Sequence, residues 1–123
     1  MTSDAIKALA DNVRRLMDAH KLTQNQFATR AGVSQKSISD LLNYGGNVSK
    51  EPRLGTIEKI AKGFEIPPWQ LQIPGLPVEL LRDHAVGKVL ENYRDAGPIG
   101  REHIRRIAES EVRYTLLKGA AGE

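Results

Sequence analysis

A glycine at position 32 lies between two short helical patterns, and no other feature limits the possible folds of this chain as tightly. Residues 24 to 43 read QNQFATRAGVSQKSISDLLN. Two short helices joined by a turn of about three or four residues must cross steeply. Each position of the window holds a residue type that such a crossing needs. Ala28 is small, so the second helix can approach the first. Gly32 falls where the first helix must end, and only glycine enters the left-handed region without steric penalty. Val33 is expected to plug the turn from inside. Ser34 can cap the second helix by accepting from its orphan N–H groups. Phe27, Ala31, Ile38 and Leu41 supply an apolar seam. Gln35, Lys36, Ser37 and Asp40 are left facing outward on the first turns of the second helix.

Helical periodicity extends in both directions from this window. Ile6, Leu9, Val13, Leu16 and Met17 follow i, i+3, i+4 spacing, which predicts an amphipathic helix over about residues 4–19, capped by Ser3 or Asp4. Thr23 and Gln26 are spaced as a capping box for the next helix. Residues 34–43 form the third. Residues 44–53, YGGNVSKEPR, read as a loop that Gly45, Gly46 and Asn47 open and Pro52 closes. Ile57, Ile60, Ala61 and Phe64 mark a fourth helix, and Pro67, Pro68 and Trp69 begin a short fifth. Trp69 is expected in the core against the fourth helix. Strand signals are absent. The proline-rich stretch IPPWQLQIPGLP, residues 66–77, divides the chain into expected domains at 1–74 and 75–123. Beyond it, one helical pattern runs through Val78, Leu81, Ala85, Val89 and Tyr93, and a second through Ile104, Ile107, Ala108, Val112 and Leu116. Gly97-Pro98 separates them. The fold class expected is all-α: a five-helix domain followed by a C-terminal helical hairpin.

Charge is unevenly placed. The chain has 123 residues and a net charge of +3. Residues 1–72 hold ten Lys/Arg against seven Asp/Glu, whereas residues 73–123 hold eight of each. The basic excess therefore lies in the half carrying the two crossed helices, as a phosphate-binding half requires. There is no Cys, which removes disulfides and thiolate zinc sites. The N-terminal MTSDAIKAL lacks the form of a signal peptide, and no apolar run reaches the roughly 18 residues of a membrane span. A soluble cytoplasmic protein without a membrane partner is expected.

The order LTQNQFATRAGVSQKSISDLLN, then PRLGTIEKIAKGFEIPPWQL, resembles the lambda-repressor/Cro-like helix-turn-helix proteins, also called the XRE family. The resemblance runs from about residue 4 to residue 71. It implies a DNA-binding domain of five helices whose third, over residues 34–43, lies in the major groove. On the matching positions it implies that Gln35 and Lys36 read bases, with Ser37 a short polar neighbour and Asp40 a later reading position. It implies a phosphate contact for Gln24, which also braces the reading helix, and for Asn43 at that helix's end. Lys50 and Arg53, in the following loop, are further candidate phosphate contacts. The chemistry is suitable: glutamine pairs with adenine N6 and N7, and lysine reaches guanine O6 and N7. Three departures stand out. The loop after Asn43 is long and glycine-rich. Glu65 occupies the place of a helix-ending glycine, with Gly63 two residues early. Asp40 needs a cytosine amino group or a neighbouring cation to lie near phosphates. The tail beyond Pro77 lies outside the shared domain and is similar to those of prophage-type regulators.

Other chemistries find little support. His20, His84 and His103 lack metal-ligand spacing. Ser34, Ser37 and Ser39 lie in no nucleophile elbow. Gly45-Gly46 is followed by no G-K-S/T. No catalytic residue, metal or cofactor is expected, and the chain is not expected to be an enzyme. Arg14, Arg15 and Lys21 are expected to be solvated. Arg101, Arg105 and Arg106, interleaved with Glu102, Glu109 and Glu111, read as a solvated face with an i, i+4 pair between Glu102 and Arg106. The reading is a dimeric, sequence-specific repressor that binds a double-stranded operator and pairs through Ile104, Ile107, Val112 and Leu116. The alternative is an antitoxin-like or adaptor protein whose C-terminal helices grip a partner protein. A third possibility keeps the fold for protein binding alone, since fold does not fix function.

Overall fold

The computed structural model describes residues 3–120. Residues 1, 2 and 121–123, at the outer ends of the two expected domains, lie outside the described residues. Those described form eight helices and no strand, with an isolated bridge between Tyr44 and Val48. The chain forms two compact units, the first ending at Asp83 and the second beginning at His84.

The first unit holds α1 (Asp4–Ala19), α2 (Gln24–Ala31), α3 (Gln35–Leu42), α4 (Leu54–Gly63), α5 (Pro68–Leu71) and α6 (Val78–Leu81). Local chemistry sets most of the boundaries. Ser3 caps α1 by accepting from the Ile6 N–H. Thr23 and Gln26 form the capping box of α2, at 3.1 and 2.9 Å. Gly32 ends α2 at φ 73°, donating its N–H to Ala28 O. Ser34 caps α3 through the Ser37 N–H at 3.0 Å. The core gathers Leu9, Val13, Leu16, Phe27, Ile38, Leu41, Ile60, Leu71 and Leu81, all essentially without exposure. Each such side chain contributes about 1.5–3 kcal/mol on burial.

The two departures around α4 have different physical reasons. A Cβ at Gly63 would lie 3.1 Å from both Ala31 Cβ and a Phe27 ring carbon. Gly63 is therefore a point of close approach between α4 and α2. The chain still turns in the left-handed region two residues later, and Glu65 adopts φ 58° there. A side chain in that region is disfavoured by about 1–2 kcal/mol.

Two buried amides hold the end of the unit. Asn12 Nδ2 donates to Leu71 O at 2.6 Å and Ile73 O at 2.8 Å, and Asn12 Oδ1 accepts from Arg15. Arg15 also donates to Leu76 O at 2.8 Å and pairs with Asp11 at 3.2 Å. Gln70 Nε2 lies 3.0 Å from each of the carbonyls of Leu80, Leu81 and Asp83.

These contacts correct three expectations. Arg15 is a brace rather than a solvated residue. Trp69 is 41% exposed and not in the core, because the single turn of α5 turns Gln70 and Leu71 inward instead. The helical pattern from Val78 to Tyr93 is not one helix. It breaks after Leu81, which is fully buried, and Gln70 collects the carbonyls at the break. The first unit consequently runs past the expected division at 74/75 and has a sixth helix.

The second unit holds α7 (His84–Asp95) and α8 (Pro98–Ala120). Arg101 satisfies the last carbonyls of α7, at 3.0 Å to Tyr93 O and 2.7 Å to Arg94 O, and its guanidinium lies 5.8 Å from the Tyr93 ring centre. Glu102 binds Arg106 at 3.1 Å, as its spacing predicts, and also Arg105, which reaches Glu109. No residue of α7 is buried. Among the described residues, no helix is long and apolar enough to cross a membrane.

Candidate nucleic-acid interface

Helix α3 presents its first turn to solvent because its apolar residues, Ile38 and Leu41, are spent on the core. Gln35 and Lys36 are exposed side by side. Ser37 is half-buried, and its Oγ lies 2.9 Å from Ser34 Oγ, so it serves the cap. Asp40 finds its cation one turn back: Lys36 Nζ lies 3.0 Å from Asp40 Oδ2. The Lys36 side chain is 81% exposed. Exposed helix pairs of this kind are worth about 0.3–0.5 kcal/mol. A base edge that offers either partner a better bond can therefore open the pair.

The candidate phosphate contacts fall into two groups. Lys50 and Arg53 join Ser37 and Asp40 around one hollow of about 260 Å³. Arg53 is the N-cap residue of α4, yet no side chain caps that helix. Its first N–H groups thus lack a side-chain partner, and the positive end of the helix dipole there is a favourable place for an anion. Gln24 and Asn43 do not line this hollow. Gln24 is the first residue of α2 and half-buried. Asn43 is the C-cap of α3, and its amide turns back to Ser39 O at 2.9 Å.

Two supporting residues, Arg14 and Tyr44, carry no signal in the sequence pattern. Arg14 is exposed, as expected, but it also donates to Leu42 O at 2.5 Å, so α1 holds the end of α3. Tyr44 is buried, and its hydroxyl accepts from the Ser3 N–H at 2.8 Å and donates to Glu51 at 3.3 Å. The glycine-rich loop is thereby anchored at its start. Gly45 then takes φ 87° and donates its N–H to Val48 O at 2.9 Å, closing a tight turn. Among the described residues, no group of His, Cys, Asp and Glu could hold a metal ion.

The comparisons with known proteins agree with this geometry. Residues 13–68 match a family model described as helix-turn-helix. The chain is similar to the HTH-type transcriptional repressor RghR of Bacillus subtilis (strain 168), with 37% identity over 62 residues. That match covers 50% of this chain and 44% of the repressor, so this chain accounts for less than half the length of that relative. No solved structure is significantly similar. The capped, crossed helices and the family match together make residues 13–68 a helix-turn-helix domain of the XRE type.

Proposed function

We propose that the chain is a DNA-binding transcriptional repressor that works as a dimer. The observation that carries this reading is the first turn of α3. There a helix with its apolar face buried holds Gln35 and Lys36 outward beside a hollow edged by Lys50 and Arg53. Gln35, Lys36 and Asp40 read base edges in the major groove, while Ser37 fixes the start of the helix. Gln24, Asn43, Lys50 and Arg53 hold phosphates. The family's place among transcription regulators, and the repressor named above, support the regulatory role.

Dimerisation has its own support in the second unit. Ile107, Val112 and Leu116 are 63%, 59% and 68% exposed, and Ile104 is half-buried. At about 100° per residue these four spread over roughly half the circumference of α8, a broad face rather than a narrow seam. Two reading helices must sit about 34 Å apart to enter successive turns of one groove. A second copy that covers α8 joins two such helices in one protein. The same uncovered face also suits the second reading, in which an antitoxin-like or adaptor protein binds a different partner chain there.

Selection of bound sequences from random duplexes, followed by binding across a salt series, tests the proposal. Affinity for the selected site should fall steeply with salt. Gln35→Ala and Lys36→Ala should each lose about 1–3 kcal/mol on that site and relax one base preference. Gln24→Ala and Lys50→Ala should weaken good and poor sites alike, because phosphates carry no sequence information. Failure to bind any duplex at low salt overturns the reading.

A further inference from the structure

The C-terminal half of α4 borders a second cleft, to which the DNA reading assigns no role. It has a volume of about 640 Å³, in the range of sites for small organic ligands. Its rim carries Arg30 from the last turn of α2, Lys59 and Lys62 from α4, and Arg82 just past α6. Among the described residues none of these four forms an ion pair. Glu65 is the acidic residue that lines the cleft.

A structural role for the cations is simple to state and insufficient. The C-termini of α1, α2 and α4 end at His20, Gly32 and Phe64, all of which line the cleft. Each helix end carries about half a negative charge, and cations near it are stabilising. Three such ends offset less than half of the four cations' charge, and Glu65 offsets one more. A positive excess is left facing the cleft.

His20 lies on the cleft wall. Its ring stacks on Phe64 with centres 6.3 Å apart. Its proton affinity is lowered first by burial, then by Arg82 and by Arg30. Two cations from different elements thus act on one point of the cleft wall. Gln35 and Lys36 are not on this rim. Lys59 and Lys62 are roughly 9–13 Å further along α4 than Arg53.

We propose that this cleft binds a small organic or inorganic polyanion, one that carries two or more phosphate or carboxylate groups. Arg30 and Arg82 supply forked donors that match such groups, and Lys59 and Lys62 add point charges. Pairing removes the mutual repulsion of the four cations, which a single surface lysine cannot reward in the same way.

The test uses the full chain labelled with nitrogen-15, titrated with tripolyphosphate or citrate against sodium chloride at equal ionic strength. The expected result is saturable binding of one anion, with shifts at the Gly32, Gly63 and Glu65 amides. Lys59→Ala/Lys62→Ala should weaken it at least tenfold with the melting temperature retained, and Arg82→Ala should weaken it as a second, independent variant. Lys36→Ala/Lys50→Ala should leave it unchanged. Shifts that do not saturate, or that chloride reproduces, overturn the proposal. Equal loss in Lys36→Ala/Lys50→Ala overturns it too, since the anion then sits on the α3 face. A short duplex whose own binding falls tenfold in Lys59→Ala/Lys62→Ala does likewise, since the cleft then belongs to the DNA footprint.

Discussion

Gly32 and Gly63 are required for opposite reasons, and single substitutions separate them. Gly32 has open space where a Cβ would be, but its φ is 73°. Gly63 has no such backbone demand but lacks room, with atoms of Ala31 and Phe27 at 3.1 Å. Gly32→Val should therefore be destabilising through backbone strain, and Gly63→Ala by about 1–3 kcal/mol through overpacking. Glu65→Gly should instead raise the melting temperature, because it relieves a left-handed non-glycine residue. Thermal melts of the three variants check all of this. His20 gives a prediction in pH. Its folded value lies below its ordinary 6.5. Between those two values the unfolded chain holds a proton that the folded one does not, so acidification through that window lowers stability. Above 6.5 the effect is absent. Melts from pH 7 to 5 should show a shallower decline for His20→Gln. The role of Gly32 is readable from sequence because a helix end is a local event. That of Gly63 is not, since its neighbours Ala31 and Phe27 arrive from another helix.

Capped helices are legible in the sequence, and the elements joined by long-range amides are not. Thr23, Gln26 and Ser34 act on N–H groups three residues away, so their spacing alone discloses them. Asn12 acts on carbonyls 59 and 61 residues away, and Arg14 on one 28 residues away. No periodicity encodes such partners. The exposure of Trp69 has a related reason: in a one-turn helix, which residue turns inward depends on what it meets, and the Gln70 amide meets three carbonyls. These amides are predicted to govern α5 and α6. Asn12→Ala leaves Leu71 O and Ile73 O without that donor and should lose about 1–3 kcal/mol of stability. Gln70→Leu should release α6 first, which hydrogen exchange at the Leu80 and Leu81 amides would detect before any loss of global stability. Protection unchanged in Gln70→Leu would mean that packing of Leu81 alone holds the turn.

At the scale of the whole molecule, the prolines between residues 66 and 77 mark turns rather than the end of a unit. The chain comes back with Val78–Leu81 to close the core, and only then leaves it. A fragment of residues 1–83 should melt cooperatively and sediment as a monomer, whereas one ending at Gly75 should lose much of its stability with Leu81. The full chain should sediment as a dimer, and Ile107→Asp should return it to a monomer. A monomeric full chain would remove the proposed interface on α8. Helix α4 has a different neighbour at each end. Its N-cap, Arg53, edges the hollow beside α3, and its other end carries Lys59 and Lys62 at the second cleft. Two ligands that share one helix as a wall are bound by thermodynamic reciprocity. Whatever factor an anion in the cleft applies to operator affinity, the operator must apply to the anion. Under the two proposals, the sensitivity of the switch can be read from the small molecule's side, by calorimetry of the anion with and without the bound duplex.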